Sequence, residues 1–573
     1  MKKVALYIFV TILIMSSCSD EYLESTDYDS ATLVEFPNDP ASLELVAANI
    51  YSNINDYNLY GFDYLTGVIF PADHSVDFGW KQERNWQEAA SHRWTPQNAY
   101  LTEAWQGFYK IIGSTNVLLR ACDNLEASEF TAEDNAAINE YRAEALFWRG
   151  WAHHQLVQLF GEGYPANGDG EKRGVIIHTE VATNSELQYL PRSTVNEVYA
   201  QILSDYKEAE KILPTSRSGT AVAKPTKFTA QAFIGQLQLG NGNYQESATI
   251  LKNVIDNSAK SLLPYEEYSK LFNEDQIEFS DESLLELSVK NRPGSWGVWG
   301  GSEGTMHSLK IAPFVGHLDT DENDIPIPDG DGDYIVTGTQ ETGWCNLFLH
   351  DRNIERFGTD PRLKIVAMEP ATLITKTVDG NVVEAGTNVR PDQFIYGKEL
   401  LLPYAGTKGY EDDMGNSIKG WSIRKYVPLE KNLYDWEVST GINIHFMRLA
   451  DVYLMYAEAS LKVGQEDVAR EYINKVRRRA YNVFDQSQDI TSTGEELFED
   501  LKEERFKEFC AEGAQNWFDY CRWKSLEDVV NKWYTYTLIT PGVKISVNPN
   551  SYYAPIPLVE IESNSNCEQS TGY

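Results

Sequence analysis

The chain has 573 residues, 42% of them hydrophobic and 23% charged. That balance excludes a disordered chain and leaves room for more than one packed unit. The formal net charge of −36 disfavours nucleic acid, whose phosphates would be repelled, and solubility on an exposed surface is its plain reading.

The N-terminus reads as a targeting segment. Lys2 and Lys3 precede an apolar run from Val4 to Met15 that only Thr11 interrupts. A membrane-crossing helix needs about 20 apolar residues, so the run fits the core of a secretory signal instead. Met15-Ser16-Ser17-Cys18 follows, with two small residues before a cysteine. The pattern resembles a bacterial lipobox, which implies cleavage before Cys18 and acylation of that residue; an ordinary signal peptide with a chance cysteine is the competing reading. Two or more acyl chains, at about 0.8 kcal/mol per buried methylene, give a stable anchor. Ser19-Asp20-Glu21 resembles the acidic export signal of Bacteroidetes surface lipoproteins, which implies a position on the outer leaflet facing the medium. The expected organisation is a signal peptide over 1–17, an acidic tether over 18–40 and a single domain over 41–573.

From residue 41 the pattern is helical. Leu43, Leu45, Val46, Ile50 and Tyr51 recur at helical spacing. A second helix is expected over about 99–122, with Leu101, Trp105, Phe108, Ile112 and Leu119 on one stripe. A third runs over about 132–160 and stops at Gly161-Glu162-Gly163-Tyr164-Pro165. After a loop over 166–190, Ser193 or Thr194 caps a fourth helix, with Glu197 in the capping-box position and Pro214 at the close. Two helical pairs follow, at about 226–239 with 244–257 and at about 446–463 with 466–480. In the first, Gly235 precedes Ser247 by twelve residues; in the second, Ala457 precedes Ala469 by the same interval. Small residues there let two antiparallel helices approach closely, which is a tetratricopeptide rhythm.

Between 260 and 440 helical periodicity fades, and Gly, Asp, Pro and aromatic residues rise. Short β-like runs such as Ser283–Val289 and Val378–Val383 mark an irregular insertion, the kind of segment that carries binding on a rigid scaffold. Residues 526–573 read as mostly extended with a polar tail. Cys122, Cys345, Cys510, Cys521 and Cys567 are scattered without a CxxC pair, which argues against zinc or a disulfide framework and leaves one or two unassigned bridges open. The fold class expected is mostly α: a tetratricopeptide-like paired-helix scaffold over about 41–257 and 446–525, with a large irregular insertion carrying short strands.

Several motifs resemble one family in their order along the chain. Trp105-x3-Tyr109-x2-Ile112-x3-Asn116 and Glu144–Trp151 lie in the first half. Asp360-Pro361-Arg362-Leu363 lies in the insertion. Arg448-Leu449-Ala450-Asp451-Val452-Tyr453-Leu454-Met455-Tyr456-Ala457-Glu458-Ala459 is the most specific stretch. Glu503-Glu504-Arg505, Glu508-Phe509, Glu512-Gly513, Trp517-Phe518-Asp519, Arg522-Trp523 and Ala554-Pro555-Ile556-Pro557 complete the set. The chain resembles the SusD/RagB-like outer-membrane nutrient-binding lipoproteins along nearly its whole length. It departs from them at Ala514-Gln515, where an arginine is more usual. The resemblance implies a non-enzymatic protein that binds oligosaccharide at the cell surface and partners a TonB-dependent, SusC-like transporter, with a minority of members handling peptides.

Sugar rings present apolar C–H faces and a rim of hydroxyls, so a binding platform needs exposed aromatic rings beside Asp, Asn, Arg or Gln. Trp105, Trp148, Trp517 and Trp523 fall on helical stripes and belong to the core. Trp80, Trp86 and Trp94 lie in a polar segment with Asp73, His74, Asp77 and Arg84 nearby. Trp296 and Trp299 sit among glycines in 293–301, where no helix can fix them. The candidate ligand contacts are therefore Asp73, Asp77, Trp80, Arg84, Trp86, Trp296 and Trp299. Packing against a transporter, or filling the insertion's own core, is the alternative for both clusters.

Other chemistries are weaker. Gly300-Gly301-Ser302-Glu303-Gly304 matches GxSxG but lacks the tight strand-to-helix turn a nucleophile requires. Asp329, Asp331 and Asp333 resemble the start of a calcium loop, yet Tyr334 and Gln340 stand where glycine and a carboxylate are needed, so a solvated acidic turn is the stronger reading. No other cofactor is expected. His153-His154 lacks HExxH spacing. A glycoside hydrolase using two of the 85 acidic residues remains the rival function.

Overall fold

A computed structural model describes residues 37–72, 84–126, 130–272, 277–289, 352–367, 423–426, 441–513, 515–535 and 545–573, with short strands at 76–78, 315–318, 336–340, 347–350, 375–378, 381–384 and 420–421. Helices of six residues or more are numbered. In the first half these are α1 (Leu43–Ile54), α2 (Arg84–Ala90), α3 (Ala99–Glu126), α4 (Ala132–Phe160), α5 (Val195–Ile212), α6 (Lys227–Asn241) and α7 (Tyr244–Asn257). Strand β1 (Val76–Phe78) precedes α2.

The helix starts follow local chemistry. Thr131 accepts the Asp134 N–H at 3.1 Å and caps α4, and the Asp134 carboxylate takes the Thr131 N–H in return. Of the two caps open for α5, Thr194 is the one used: its hydroxyl accepts the Glu197 N–H at 3.2 Å while Glu197 takes the Thr194 N–H at 2.8 Å. Gly242, at φ +81°, turns the chain from α6 into α7. The close approach expected at Gly235 is real. The Ser247 hydroxyl donates to the Gly235 carbonyl at 2.8 Å, and a Cβ on Gly235 would stand 2.4 Å from Leu251 Cδ2.

The insertion adds strands β2 (Ser283–Leu287), β3 (Val315–Leu318), β4 (Val336–Gln340) and β5 (Leu347–His350), then helix α8 (Arg352–Phe357), then β6 (Thr375–Val378), β7 (Asn381–Glu384), β8 (Gly420–Trp421) and β9 (Ile444–Arg448). The described strands form four antiparallel sheets: β1-β5-β8, β2-β9, β3-β4 and β6-β7. The run Val378–Val383 expected as one strand is instead split between β6 and β7. Asp379-Gly380 lies between them, a dipeptide suited to a two-residue hairpin turn.

The second half holds α9 (Leu449–Lys462), α10 (Glu466–Ala480), α11 (Gly494–Phe509), α12 (Gln515–Arg522), α13 (Leu526–Lys532) and α14 (Leu558–Ser563). The described part of 526–573 carries helices that the sequence reading did not expect: Leu526 and Val530, one turn apart, are buried and hold α13. The polar tail is also fixed, with the Thr571 N–H and hydroxyl donating to Glu162 at 3.0 and 2.8 Å. Cys122, Cys510, Cys521 and Cys567 are buried free thiols; Cys345 lies outside the described residues.

Helices adjacent in sequence pack on one another from α3 through α7, and α7 packs on α9 across the insertion. The scaffold is therefore continuous and tetratricopeptide-like, and β2 with β9 forms the stem where the insertion leaves and returns. Beneath that stem lies an ion network closed to solvent. Arg448 donates to Glu282 at 2.6 Å, to Glu508 at 3.0 Å and to both Glu512 oxygens at 3.0 and 2.8 Å. Arg362 binds both Asp360 oxygens, at 2.9 and 2.8 Å, and Glu508 at 3.1 Å. Arg479 bridges Glu282 and Glu508, and Lys425 donates to Glu512 at 2.6 Å. Burial alone would raise the Glu508 pKa, but Arg479, Arg448 and Arg362 hold it well below the carboxylate range.

Candidate functional site

The segment before α3 is built around one carboxylate. Glu88 on α2 accepts the Thr95 N–H at 3.1 Å and the Asn98 side-chain N–H at 3.0 Å. Asn98 in turn accepts the Leu101 N–H at 3.2 Å, which fixes the first turn of α3. On the outer side, Arg84 donates to Glu88 at 2.8 Å and keeps 71% of its side chain exposed. Of the candidate rim residues, Arg84 therefore remains open to a ligand.

Trp86 requires a correction. It is 4% exposed, with its ring stacked on Tyr100 at a centroid distance of 6.0 Å. Gly67 allows this, since a Cβ there would lie 2.8 Å from the Tyr100 ring and 3.0 Å from Trp86 Nε1. The surrounding segment is polar in sequence, but α2 turns the Trp86 face inward, and the indole offers no flat surface to a sugar. Trp94 is also buried, packed against His92 and Trp517. The core assignment of Trp105, Trp148 and Trp517 stands, and Trp523 is half-buried with its N–H donating to Glu458 at 2.9 Å.

Asp77 lies in β1 opposite Phe348 of β5. Asp73, Trp80, Trp296 and Trp299 lie outside the described residues, as do Cys18, the GxSxG stretch and the acidic Asp329, Asp331 and Asp333. What the structure adds is the sheet. Strand β1, from the segment before α3, pairs along its length with β5 of the insertion, and β5 pairs with β8. The segment before α3 is thus joined by main-chain hydrogen bonds to residues 347–350 of the insertion.

That sheet is fixed to the second half of the scaffold by Arg356, a residue that periodicity does not single out. Two residues past the end of β5, α8 begins and carries Arg356 inward. The guanidinium donates to both Glu503 oxygens at 2.9 and 3.2 Å and to the Tyr520 and Tyr534 hydroxyls at 3.2 and 3.1 Å. It also lies 3.5 Å from the Phe506 ring centre. The Tyr534 hydroxyl donates onward to Asn353 at 2.6 Å.

Comparison with known proteins settles the family. A family model described as starch-binding and associating with the outer membrane matches residues 21–239, and the SusD family model matches residues 353–573. The chain belongs to the SusD/RagB-like family. Among curated SusD-like relatives, SusD-like protein P2 of Formosa agariphila is 24% identical over 576 residues, covering 99% of this chain and 98% of that one. The starch-binding protein SusD of Bacteroides thetaiotaomicron is 22% identical over 528 residues, covering 88% of this chain and 84% of that one. Among solved structures, a SusD homolog from Bacteroides thetaiotaomicron superposes with a TM-score of 0.69 at 18% identity, over 94% of this chain and 98% of that one. A laminarin-binding SusD-like protein superposes with a TM-score of 0.65 at 19% identity, over 93% and 100%. SusD-like proteins are outer-membrane-associated binding proteins, and the family motifs found in this chain now have places. Asp360, Arg362, Arg448, Glu504, Glu508 and Glu512 all belong to the buried ion network.

Proposed function

We propose that this SusD-like protein captures oligosaccharide at the cell surface, without chemistry, and delivers it to a TonB-dependent, SusC-like transporter in the same membrane. The observation that carries the reading is the β1-β5-β8 sheet in a chain of this family. It ties the strand between Asp73 and Trp80 to the insertion that holds Trp296 and Trp299. Flat indole faces would stack on the C–H faces of sugar rings, and Asp73, Asp77 and Arg84 would meet the hydroxyl rim. Trp86 is not among the contacts. Acylation at Cys18 would anchor the protein; among the described residues no helix is long and apolar enough to cross a membrane.

The test is a glycan array probed with the form starting after Cys18, together with analysis of the glycans afterwards. Binding of one glycan class with its chains intact is expected. Release of reducing sugar would favour a hydrolase instead. An empty glycan array with binding to a peptide library would favour peptide capture.

A further inference from the structure

A cavity lies between the connection from α5 to α6, the turn after α7 and strand β2, and none of the candidate indoles is among its lining residues. Its volume is about 110 Å³, several times the ~10–15 Å³ that admits one water and below the ~300 Å³ at which pockets begin to enclose larger ligands. Its walls include two phenyl rings, Phe228 and Phe279. Thr215 and Ser216 stand exposed at the mouth, and Ser258 and Lys260 also line the cavity.

Phe279 is held there at a cost. Its φ of +50° is a conformation that bulky L residues rarely adopt, and strain of that kind persists only where the surroundings enforce it. The enforcing group is Glu286 on β2, whose two oxygens both accept the Phe279 N–H at 3.1 Å. Glu286 is itself pinned by Asn443 at 3.0 Å and His445 at 3.4 Å. The opposite wall is equally fixed, because the Thr229 hydroxyl of α6 donates to the Leu284 carbonyl at 2.8 Å.

The cations of the wall are engaged except at Arg217 Nη2, which has no hydrogen-bond partner. Arg217 donates to the Pro225 carbonyl at 2.8 Å and to Glu140 at 2.6 Å, and its remaining nitrogen, Nη2, is shut off from solvent. Lys260 donates to the Ser280 carbonyl at 3.0 Å, and burial lowers its pKa. An anion would find few free donors and would meet the Glu286 carboxylate. A neutral ring with apolar faces and a hydroxyl rim matches two phenyl rings and a mouth of hydroxyls.

We infer that this cavity is a second carbohydrate site, taking one neutral pyranose ring such as the end of a glycan chain, with Phe279 as its preset wall. The inference extends the proposed glycan-capture role but uses none of its indoles. Its test is saturation-transfer NMR with the methyl glycosides of glucose, galactose, mannose, xylose and glucuronic acid, run on four proteins. These are the unaltered chain, a Trp80→Ala/Trp296→Ala/Trp299→Ala variant, Phe279→Gly and Ser216→Trp. Glycine accepts φ +50° without strain, so Phe279→Gly removes the ring and keeps the backbone; Ser216→Trp fills the mouth from an exposed position and decides the matter should Phe279→Gly fail to fold. A neutral glycoside is expected to give transfer that survives the triple indole change and falls at least fivefold in both cavity variants. Absence of transfer in the unaltered chain, transfer undiminished in Ser216→Trp, or transfer from the glucuronide alone would overturn the inference. Loss of glycoside transfer in the indole variant alone would leave glycan capture standing and remove the second site.

Discussion

Replacing Arg448 with Met removes the hub of the buried network while keeping most of its volume. The side chain is 1% exposed and makes four charged hydrogen bonds of 2.6–3.0 Å. At about 1.5–3 kcal/mol each these would total more than a single truncation ever shows, because the contacts share partners. The three carboxylates left behind are not abandoned. Glu282 and Glu508 keep Arg479, Glu508 keeps Arg362, and Glu512 keeps Lys425. The cost should therefore fall at about 3–4 kcal/mol, the lower part of the range for breaking a buried ion pair. Urea unfolding at neutral pH, followed by circular dichroism, should show a lower midpoint with an unchanged slope. Proteolytic cleavage under native conditions should concentrate in residues 260–440, since Arg448 closes β9 against β2. A loss below about 1 kcal/mol would refute the assignment of Arg448 as hub.

Three further outcomes follow from the same geometry. Burial would raise the Glu286 pKa, but His445 brings it down to about 2. Its folded value lies below the unfolded value of about 4.3, so its stabilisation is complete above that pH and is lost as pH falls toward 2; Glu286→Gln should remove about 3 kcal/mol of that acid dependence in denaturation curves measured between those limits. Gly235→Ala should destabilise by about 1–3 kcal/mol through the clash with Leu251, and Leu251→Ala should recover part of the loss, read by thermal melting of the double variant. Arg356→Leu should loosen the sheet joining β1 to the insertion and weaken glycan affinity by up to about tenfold, or ~1.4 kcal/mol, in calorimetric titration, although Arg356 itself is buried.

The helical scaffold was legible because its signals are local. Capping pairs such as Thr194 with Glu197, and small residues twelve apart such as Gly235 and Ser247, specify helix starts and close approaches within a few turns. The family motifs were legible for a different reason. They serve a charged core whose members come from six separate stretches, and each burial of a charge restricts what can stand there. Trp86 escapes a reading from sequence because polarity of the surrounding segment says nothing about which way one short helix turns a ring, and Gly67, which makes room for that ring, stands in a separate stretch of the chain. The β1-β5 pairing was invisible for the same reason as most sheets, since its partners are some 270 residues apart and three residues long. Phe279 carries no sequence signal at all: its left-handed backbone is imposed by Glu286, seven residues on.

The most direct test of glycan capture is calorimetric titration of the best array ligand against the unaltered protein and Trp80→Ala/Trp299→Ala. Affinity is expected to fall at least tenfold while the thermal midpoint stays unchanged. Equal affinity in the two proteins would contradict the account.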